Sequence, residues 1–279
     1  MMNYKLSNGV LVPKIGFGTW KLAEGDETVK TVLTALEVGY RHIDTAYFYK
    51  NEVSIGKALS ETDIDRKDIF LTTKLWNADR GYDQTLKAFE ISLNNLEVDY
   101  IDLYLIHWPA AAHQFEDWQQ INSETWKAFE YLYNKGLVRA IGISNFQKHH
   151  LEPLIATADI KPMVNQLEFH PGFLQEDIIN YCEKEDILVE AWSPLGRGNV
   201  LDNMELQRIA AKYNVSVAQL CLRWIIQKGH LPIPKSSSIE RMKNNLNIFN
   251  FNIEDSDVVA IDNLPYIGGS GQNPDSIDF

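Results

Sequence analysis

The stretch ETVKTVLTALEVGYRHIDT, residues 27–45, contains one complete helix-to-strand unit of this chain. Its first half places apolar residues at the spacing of one helical face, at Val29, Val32, Leu33 and Leu36. Gly39 then provides a stop signal for a helix, and the β-rich run His42–Thr45 follows it directly. The order helix, glycine, short strand and polar strand end is typical of α/β proteins.

The same alternation continues in both directions along the chain. Eight short β-rich runs are predicted as strands, at Ile15–Phe17, His42–Thr45, Ile69–Thr73, Ile101–His107, Ala140–Ser144, Met163–Glu168, Leu188–Ser193 and His230–Pro234. Amphipathic helices are predicted between them, at Glu27–Val38, Asp83–Leu96, Glu124–Lys135, Asp177–Glu185, Met204–Tyr213 and Val217–Gln227. Strand starts lie about 25 to 40 residues apart, the length of one βα unit. No linker rich in Pro, Gly or Ser divides the chain, so one α/β domain over residues 1–279, a single (β/α)8 TIM barrel, is predicted. An open doubly wound sheet stays possible on periodicity alone.

Three segments lie outside this repeat. Tyr4–Ser7 and Val10–Val12 flank Asn8-Gly9 and predict an N-terminal β-hairpin with a type I′ turn. Pro109–Ser123 and Gly268–Phe279 are longer than a minimal connection. In a barrel these two segments are either loops of a substrate pocket or plain surface loops.

Composition narrows the class of protein. A net charge of −12 argues against nucleic acid and anionic membranes as partners. No apolar run approaches the roughly 18 residues that a membrane span needs, and no signal peptide is evident. Cys182 and Cys221 form no CxxC pair and are expected to be reduced, buried thiols. The expected compartment is therefore the cytoplasm.

Polar side chains follow three consecutive predicted strands. Asp44, Lys74 and His107 stand at or near the strand ends, and Tyr49 lies in the loop after the first of them. Taken singly, each has an ordinary structural explanation as a helix cap, a packing residue or a solvated charge. In a barrel, however, these strand ends converge on the face that carries catalysis. Their convergence beside the apolar Trp108 predicts an active site.

The motifs around these residues resemble those of the aldo-keto reductase family. The match extends in order over residues 9–251. The motifs that carry it are GTW at 18–20, GYRHIDTA at 39–46, YFYKNE at 47–52, TTKLW at 72–76, DLYLIHWP at 102–109, IGISNF at 141–146, NQLEFHP at 165–171, WSPLG at 192–196 and IPKSSS at 233–238. The length and the tail from Gln272 resemble the short microbial branch, which includes 2,5-diketo-D-gluconate and methylglyoxal reductases.

The resemblance implies a metal-free reduction of a carbonyl group by hydride transfer. Tyr49 would be the general acid, and Lys74 would lower its pKa by stabilising the phenolate. Asp44 would pair with Lys74, and His107 would orient the carbonyl. The substrate pocket would be aromatic, lined by Trp20, Phe48, Tyr49, Trp76, His107 and Trp108. Trp118 either adds to this lining or packs within its own loop.

The resemblance also implies a nicotinamide cofactor that lies across the barrel mouth. A Rossmann domain is disfavoured, since Gly16-Phe17-Gly18 lacks the third glycine and is interpreted as a barrel turn. The expected contacts are Gly18, Thr19, Trp20, Asp44, Ser144, Asn145, Gln166, Trp192, Ser193, Leu195, Gly196, Gly198, Lys235, Ser236, Ser237, Arg241, Asn244 and Asn245. Lys235, Ser236 and Arg241 suit a 2′-phosphate, which favours NADPH.

The expected function is therefore NADPH-dependent reduction of aldehydes, dicarbonyls or ketones by a cytoplasmic monomer. Three alternatives stay open on the sequence. The chain could be a barrel that binds NADPH as a regulatory subunit or sensor with little turnover. It could also be a Rossmann-type dehydrogenase, or an unrelated barrel hydrolase or isomerase.

Overall fold

A computed structural model describes residues 2–278 of the chain, which form a closed parallel barrel with a hairpin at one end. The hairpin strands are β1 (Asn3–Lys5) and β2 (Leu11–Pro13). The barrel strands are β3 (Phe17–Gly18), β4 (His42–Asp44), β5 (Phe70–Leu75), β6 (Ile101–Ile106), β7 (Val138–Ser144), β8 (Val164–Glu168), β9 (Leu188–Trp192) and β10 (Leu231–Pro232). They pair in parallel and in chain order, from β3 to β10. All eight predicted barrel strands are confirmed.

Hydrogen bonds between the first and last strands close the barrel. The Gly16 and Gly18 amides donate to the carbonyl oxygens of Pro232 and Pro234, both at 3.0 Å. The open doubly wound alternative is therefore wrong. The turn predicted at Gly16-Phe17-Gly18 is also wrong, because Phe17 and Gly18 form β3. A larger residue at position 18 would be crowded, since a Cβ on Gly18 would lie 3.2 Å from the Ile233 side chain.

Ten α-helices of the described residues surround the barrel or follow it. They are α1 (Asp26–Val38), α2 (Glu52–Glu61), α3 (Tyr82–Leu96), α4 (Trp118–Asn134), α5 (Lys148–Thr157), α6 (Glu176–Lys184), α7 (Met204–Lys212), α8 (Val217–Gln227), α9 (Ile239–Leu246) and α10 (Asp255–Asp262). The six predicted helices are confirmed, and α2, α5, α9 and α10 lie outside the six predicted ranges. The predicted loop Pro109–Ser123 is too long, because α4 already begins at Trp118.

The hairpin lies across the end of the barrel where the strands begin. The Tyr4 hydroxyl donates to the carbonyl oxygens of Ile226 and His230, both at 3.1 Å, just before β10. The predicted type I′ turn is wrong. Only Gly9 of the Asn-Gly pair has a positive φ (88°), and the Leu6 amide donates to the Val10 carbonyl, so three residues form the loop.

The barrel interior contains polar side chains where branched apolar residues are usual. The inward-facing residues include His42, Asp44, Thr72, Lys74, Gln166 and Glu190, all at most 4% exposed. Burying polar groups costs free energy unless each is hydrogen-bonded. Their concentration near the carboxyl ends of the strands locates the chemistry of this fold.

Asp102, the second residue of β6, lies at the opposite end of the barrel and stabilises its base. The fully buried Asp102 carboxylate pairs with Arg66 and Arg139, both at 2.7 Å. It also accepts a hydrogen bond from the Leu71 amide at 3.0 Å. These contacts join β5, β6 and β7 away from the catalytic face.

We expect Asp102→Ala to lower the free energy of unfolding by about 3 kcal/mol, since it leaves a buried amide and two cations without their shared acceptor. Urea denaturation at pH 7 measures this change. The exposed Asp99 is the matched control, and its alanine variant should change the value by less than about 0.5 kcal/mol. Equal stabilities for the two variants would contradict the assignment.

Two further expectations from the sequence concern the cysteines and membrane-spanning helices. Cys182 and Cys221 are buried free thiols, as predicted. Over residues 2–278, the helices are all too short or too polar to cross a membrane.

Candidate active site

A cavity of about 500 Å³ opens at the carboxyl ends of the barrel strands. Residues of β3, β4, β7, β8 and β9 line it, together with loops that follow these and other strands. The residues predicted for the site that line it are Gly18, Trp20, Asp44, Phe48, Tyr49, Trp76, His107, Trp108, Ser144, Asn145, Gln166, Trp192, Ser193, Leu195, Gly198, Lys235 and Arg241. The convergence expected from the sequence is thus present in three dimensions.

The Lys74 ammonium joins the polar groups at the floor of the cavity. Its Nζ donates to Asp44 Oδ1 at 2.7 Å, to the Thr45 carbonyl oxygen at 3.0 Å and to Tyr49 Oη at 3.2 Å. Lys74 itself is fully buried below the cavity and does not line it. Three acceptors hold the three ammonium hydrogens, so the position of the charge is fixed.

The pKa of Tyr49 differs from the expectation that Lys74 lowers it. Burial raises the pKa of Tyr49, and the opposing charge of Lys74 does not bring the pKa down to its ordinary value. Burial also opposes the charge of Lys74, but Asp44 and Tyr49 outweigh it and raise the Lys74 pKa. The phenol and the ammonium are therefore both protonated at neutral pH.

His107 follows β6 and completes the floor of the cavity. Burial and the charge of Lys74 hold the pKa of His107 well below its usual value, so the ring is neutral at pH 7. Its centroid lies 5.7 Å from that of the Tyr49 ring, and its Nδ1 has no hydrogen-bond partner among the described residues. A neutral imidazole can donate one N–H to an oxygen.

A second polar group lies on the neighbouring strands β7, β8 and β9. Asn145 Nδ2 donates to the His107 carbonyl oxygen at 2.9 Å, and Asn145 Oδ1 accepts from Trp192 Nε1 at 2.9 Å. Ser144 Oγ donates to the Gln166 carbonyl oxygen at 2.8 Å. Asn145 and Ser193 have positive φ angles of 63° and 48°, a conformation that costs free energy in residues other than glycine. These contacts fix the Trp192 ring and the amides beside it.

Cations lie at the mouth of the cavity beyond β10. Lys235 and Arg241 are exposed and line it, and Arg197 lines it from the loop after β9. Ser238 caps α9 by accepting from the Arg241 amide at 3.4 Å. The mouth therefore has a positive local charge in a chain whose net charge is −12.

Six of the predicted cofactor contacts do not line the cavity, namely Thr19, Gly196, Ser236, Ser237, Asn244 and Asn245. Thr19 is fully buried, and its hydroxyl donates to the Asp44 carbonyl oxygen at 2.9 Å. Ser236 accepts from the Ser238 amide at 3.1 Å. Asn245 is buried on α9. These side chains lie behind or beside the cavity in this conformation.

Aromatic side chains form one wall. The rings of Phe48 and Trp76 stack at 3.7 Å, and Trp20 lies 5.9 Å from Phe48. Trp118 is not part of this wall, because it packs edge-on against His150 at 5.4 Å. The predicted wall is present without Trp118.

The two long segments have different places. The tail contributes Gln272 to the cavity, held by Arg197 at 3.2 Å; Phe279 lies outside the described residues. Among the described residues, none in 109–123 lines the cavity. His113 and Gln114 of that segment instead hold the Ile277 carbonyl oxygen, at 2.9 and 3.0 Å.

Sequence reasoning missed several residues at the site. The lining residues not predicted are Lys21, Pro194, Arg197, Leu201, Ile233, Pro234 and Gln272. Glu190, buried on β9 beneath the cavity, was also missed. Arg197 stands between the predicted contacts Gly196 and Gly198, where its positive charge could have marked it as a further contact.

Comparison with known proteins agrees with this fold. Residues 14–265 match the model of the aldo/keto reductase family. Glyoxal reductase of Bacillus subtilis (strain 168) is 48% identical over 99% of this chain and 97% of its own length. Methylglyoxal reductase DkgA of Yersinia pestis is 40% identical over 97% of this chain and 95% of its own length. A crystal structure of a Gox0644 mutant in complex with NADPH is 40% identical, with a TM-score of 0.92 over 100% of this chain and 99% of that one.

The chain belongs to the aldo/keto reductase family. The resemblance found in its sequence motifs is thereby confirmed.

Proposed function

We propose that this protein reduces aldehydes and dicarbonyls to alcohols with NADPH. The observation that carries the proposal is the buried group formed by Tyr49, Lys74 and Asp44, which opens onto a cavity beside His107. A hydroxyl held by a fixed cation is suited to giving a proton to an oxygen that gains negative charge. The other expectation, a sensor with little turnover, leaves this arrangement without a use.

The cavity fits a nicotinamide dinucleotide phosphate. Ser144, Asn145 and Gln166 supply amide and hydroxyl groups suited to a carboxamide, and the Trp192 side chain beside them is suited to stacking on the ring. Lys235 and Arg241 supply positive charge suited to phosphate at the mouth. The related Gox0644 mutant structure contains NADPH, which supports the same ligand here.

When bound, NADPH supplies a hydride for the carbonyl carbon. Tyr49 then gives its hydroxyl proton to the carbonyl oxygen, which leaves a phenolate beside Lys74 Nζ. The Lys74 charge stabilises this phenolate, and Asp44 holds Lys74 in place. His107, neutral at pH 7, donates an N–H to the same oxygen and orients the substrate.

The substrate class follows from the wall opposite these groups. Trp20, Phe48, Trp76 and Trp108 give an apolar surface, which suits small carbonyl compounds with few charges. Two relatives are named for glyoxal and methylglyoxal, which supports reactive aldehydes and dicarbonyls as substrates here.

The organisation of the protein is part of the proposal. We infer one domain over residues 1–279 that acts as a monomer in the cytoplasm, without nucleic acid. Exposed large apolar side chains are dispersed over separate elements, at Leu11, Ile91, Met204 and Val259, which supports a monomer. The two buried free thiols suit a reducing compartment.

The decisive assay follows NADPH absorbance while the purified protein meets glyoxal, methylglyoxal and a panel of aldehydes and ketones. NADPH oxidation that requires both protein and carbonyl is the expected result. Tight NADPH binding without turnover on every carbonyl would favour the sensor. Failure to bind NADPH would overturn the proposal.

We expect Arg241→Ala to weaken NADPH binding by about tenfold, because it removes a charge proposed to hold the 2′-phosphate. The dissociation constant of NADH, which lacks this phosphate, should stay nearly unchanged. Titration of intrinsic tryptophan fluorescence measures both constants. The matched control is Lys243→Ala, an exposed cation on the same helix that does not line the cavity. An equal loss of affinity for NADPH and NADH would contradict the proposed contact between Arg241 and the 2′-phosphate.

A further inference from the structure

Glu190 is a fully buried carboxyl group that the proposed reaction does not use. It lies on β9 in register with Gln166 of β8. Its side chain shares the inward face with Trp192, two residues further along the strand. A carboxyl group inside a barrel costs free energy to bury, so its surroundings should reveal what it does.

The Gln166 amide connects Glu190 to the reduction site. Its Nε2 donates to Asp44 Oδ2 at 2.8 Å and to Glu190 Oε2 at 3.0 Å. An amide nitrogen has two hydrogens, so the two carboxyl groups occupy both. The Gln166 oxygen is therefore the atom left for a ligand, and it can accept a hydrogen bond from a carboxamide N–H.

The two carboxyl groups differ in their charge partners. Asp44 lies 2.7 Å from the Lys74 ammonium, whereas Glu190 forms no ion pair with any described residue. Burial, with the charge of Asp44, raises the pKa of Glu190 to about 8, although Gln166 and Lys74 oppose this. His42, further down β4, adds no positive charge, because burial lowers its pKa to about 3. At neutral pH, Glu190 is thus the neutral member of the pair.

We propose that Glu190 is a positioning residue: in its protonated form it orients the Gln166 amide for the nicotinamide carboxamide and keeps a second negative charge away from the ring. This inference rests on the proposed use of NADPH. The nicotinamide ring of NADPH is neutral, whereas that of NADP⁺ is cationic. Ionised Glu190 would attract the cationic ring and so favour the oxidised cofactor over the reduced one.

The test compares the dissociation constants of NADPH and NADP⁺ between pH 6 and pH 10. In the wild type, the affinity for NADP⁺ relative to NADPH should rise about three- to tenfold as Glu190 loses its proton with rising pH. Glu190→Gln keeps an acceptor oxygen for Gln166 and cannot ionise, so its ratio should stay constant. Glu190→Leu removes the acceptor oxygen for Gln166 and should weaken the binding of NADPH at every pH.

Glu52→Gln is the matched control. Glu52 is also buried with a raised pKa, but it accepts hydrogen bonds from Thr73 and Asn95, whereas Gln166 donates to Glu190. The pH profile of its cofactor ratio should follow the wild type. A wild-type ratio that does not change with pH, or an unchanged profile in Glu190→Gln, would overturn the proposal.

A second readout needs no cofactor. The folded-state pKa of about 8 lies above the value of an unfolded glutamate. The folded protein therefore holds a proton that the unfolded chain has lost, and its stability falls as the pH rises from about 5 to about 8. Urea denaturation should show this fall in the wild type relative to Glu190→Gln. Parallel stability profiles would refute a neutral Glu190, whereas failure of NADPH to bind the wild type would refute only the proposed function.

Discussion

Replacing Tyr49 with Phe should lower kcat for carbonyl reduction about a thousandfold, within the range expected for loss of a general acid. The variant lacks only the hydroxyl that lies 3.2 Å from Lys74 Nζ. Lys74 keeps its contacts to Asp44 and Thr45, so the site should stay assembled. NADPH should bind with unchanged affinity, because the phenol is not among the groups proposed to hold the carboxamide or the phosphates.

Tyr47→Phe is the matched control, since Tyr47 begins the same short 3-10 helix and is exposed. Its kcat should equal that of the wild type. If Tyr49→Phe keeps most of its activity, another group donates the proton. His107 would then be tested next, because its ring can donate a proton and lies 5.7 Å from the ring of Tyr49.

The sequence predicted the polar group at the floor of the cavity because its members stand together at the ends of consecutive strands. Asp44 ends β4, Lys74 is the fifth residue of β5, and His107 directly follows β6. A parallel barrel brings such positions together whatever the details of the loops. Tyr49 lies in a 3-10 helix that has no periodic signal of its own, and only the family motifs implied its role as the general acid.

Glu190 could not be predicted in the same way. In the run Leu188–Trp192 it has apolar neighbours on both sides, which on its own suggests a strand with one solvated residue. Only closure of the barrel, through the hydrogen bonds from Gly16 and Gly18, turns that side of β9 toward the interior. Such burial depends on contacts between distant strands, so no local pattern contains it.

Two helices outside the predicted ranges, α5 and α9, have local features that weaken the helical signal in the sequence. The helix α5 contains Pro153, which is unfavourable within a helix. The helix α9 has eight residues and is polar apart from its ends and Met242. At Asn8-Gly9 the turn rule failed because a three-residue loop needs a positive φ at the glycine alone.

Replacing Lys74 with Met should lower both stability and activity, because it leaves the buried carboxylate of Asp44 without its cation. The free energy of unfolding at pH 7 should fall by about 3–5 kcal/mol, the range for breaking a buried ion pair. Turnover should fall by at least about a hundredfold, since no charge then stabilises the Tyr49 phenolate. Urea denaturation and the NADPH assay measure the two effects separately.

The double variant Lys74→Met with Asp44→Asn separates charge from packing. It removes both charges and leaves neutral groups in the same space, so it should recover much of the stability but none of the activity. The single variant has a further signature in its pH dependence. An unpaired buried Asp44 takes up a proton more readily than an unfolded aspartate, so the loss of stability in Lys74→Met should shrink as the pH falls toward 4. A loss of stability that is constant between pH 8 and pH 4 would show that Lys74 acts through its packing and not through its charge.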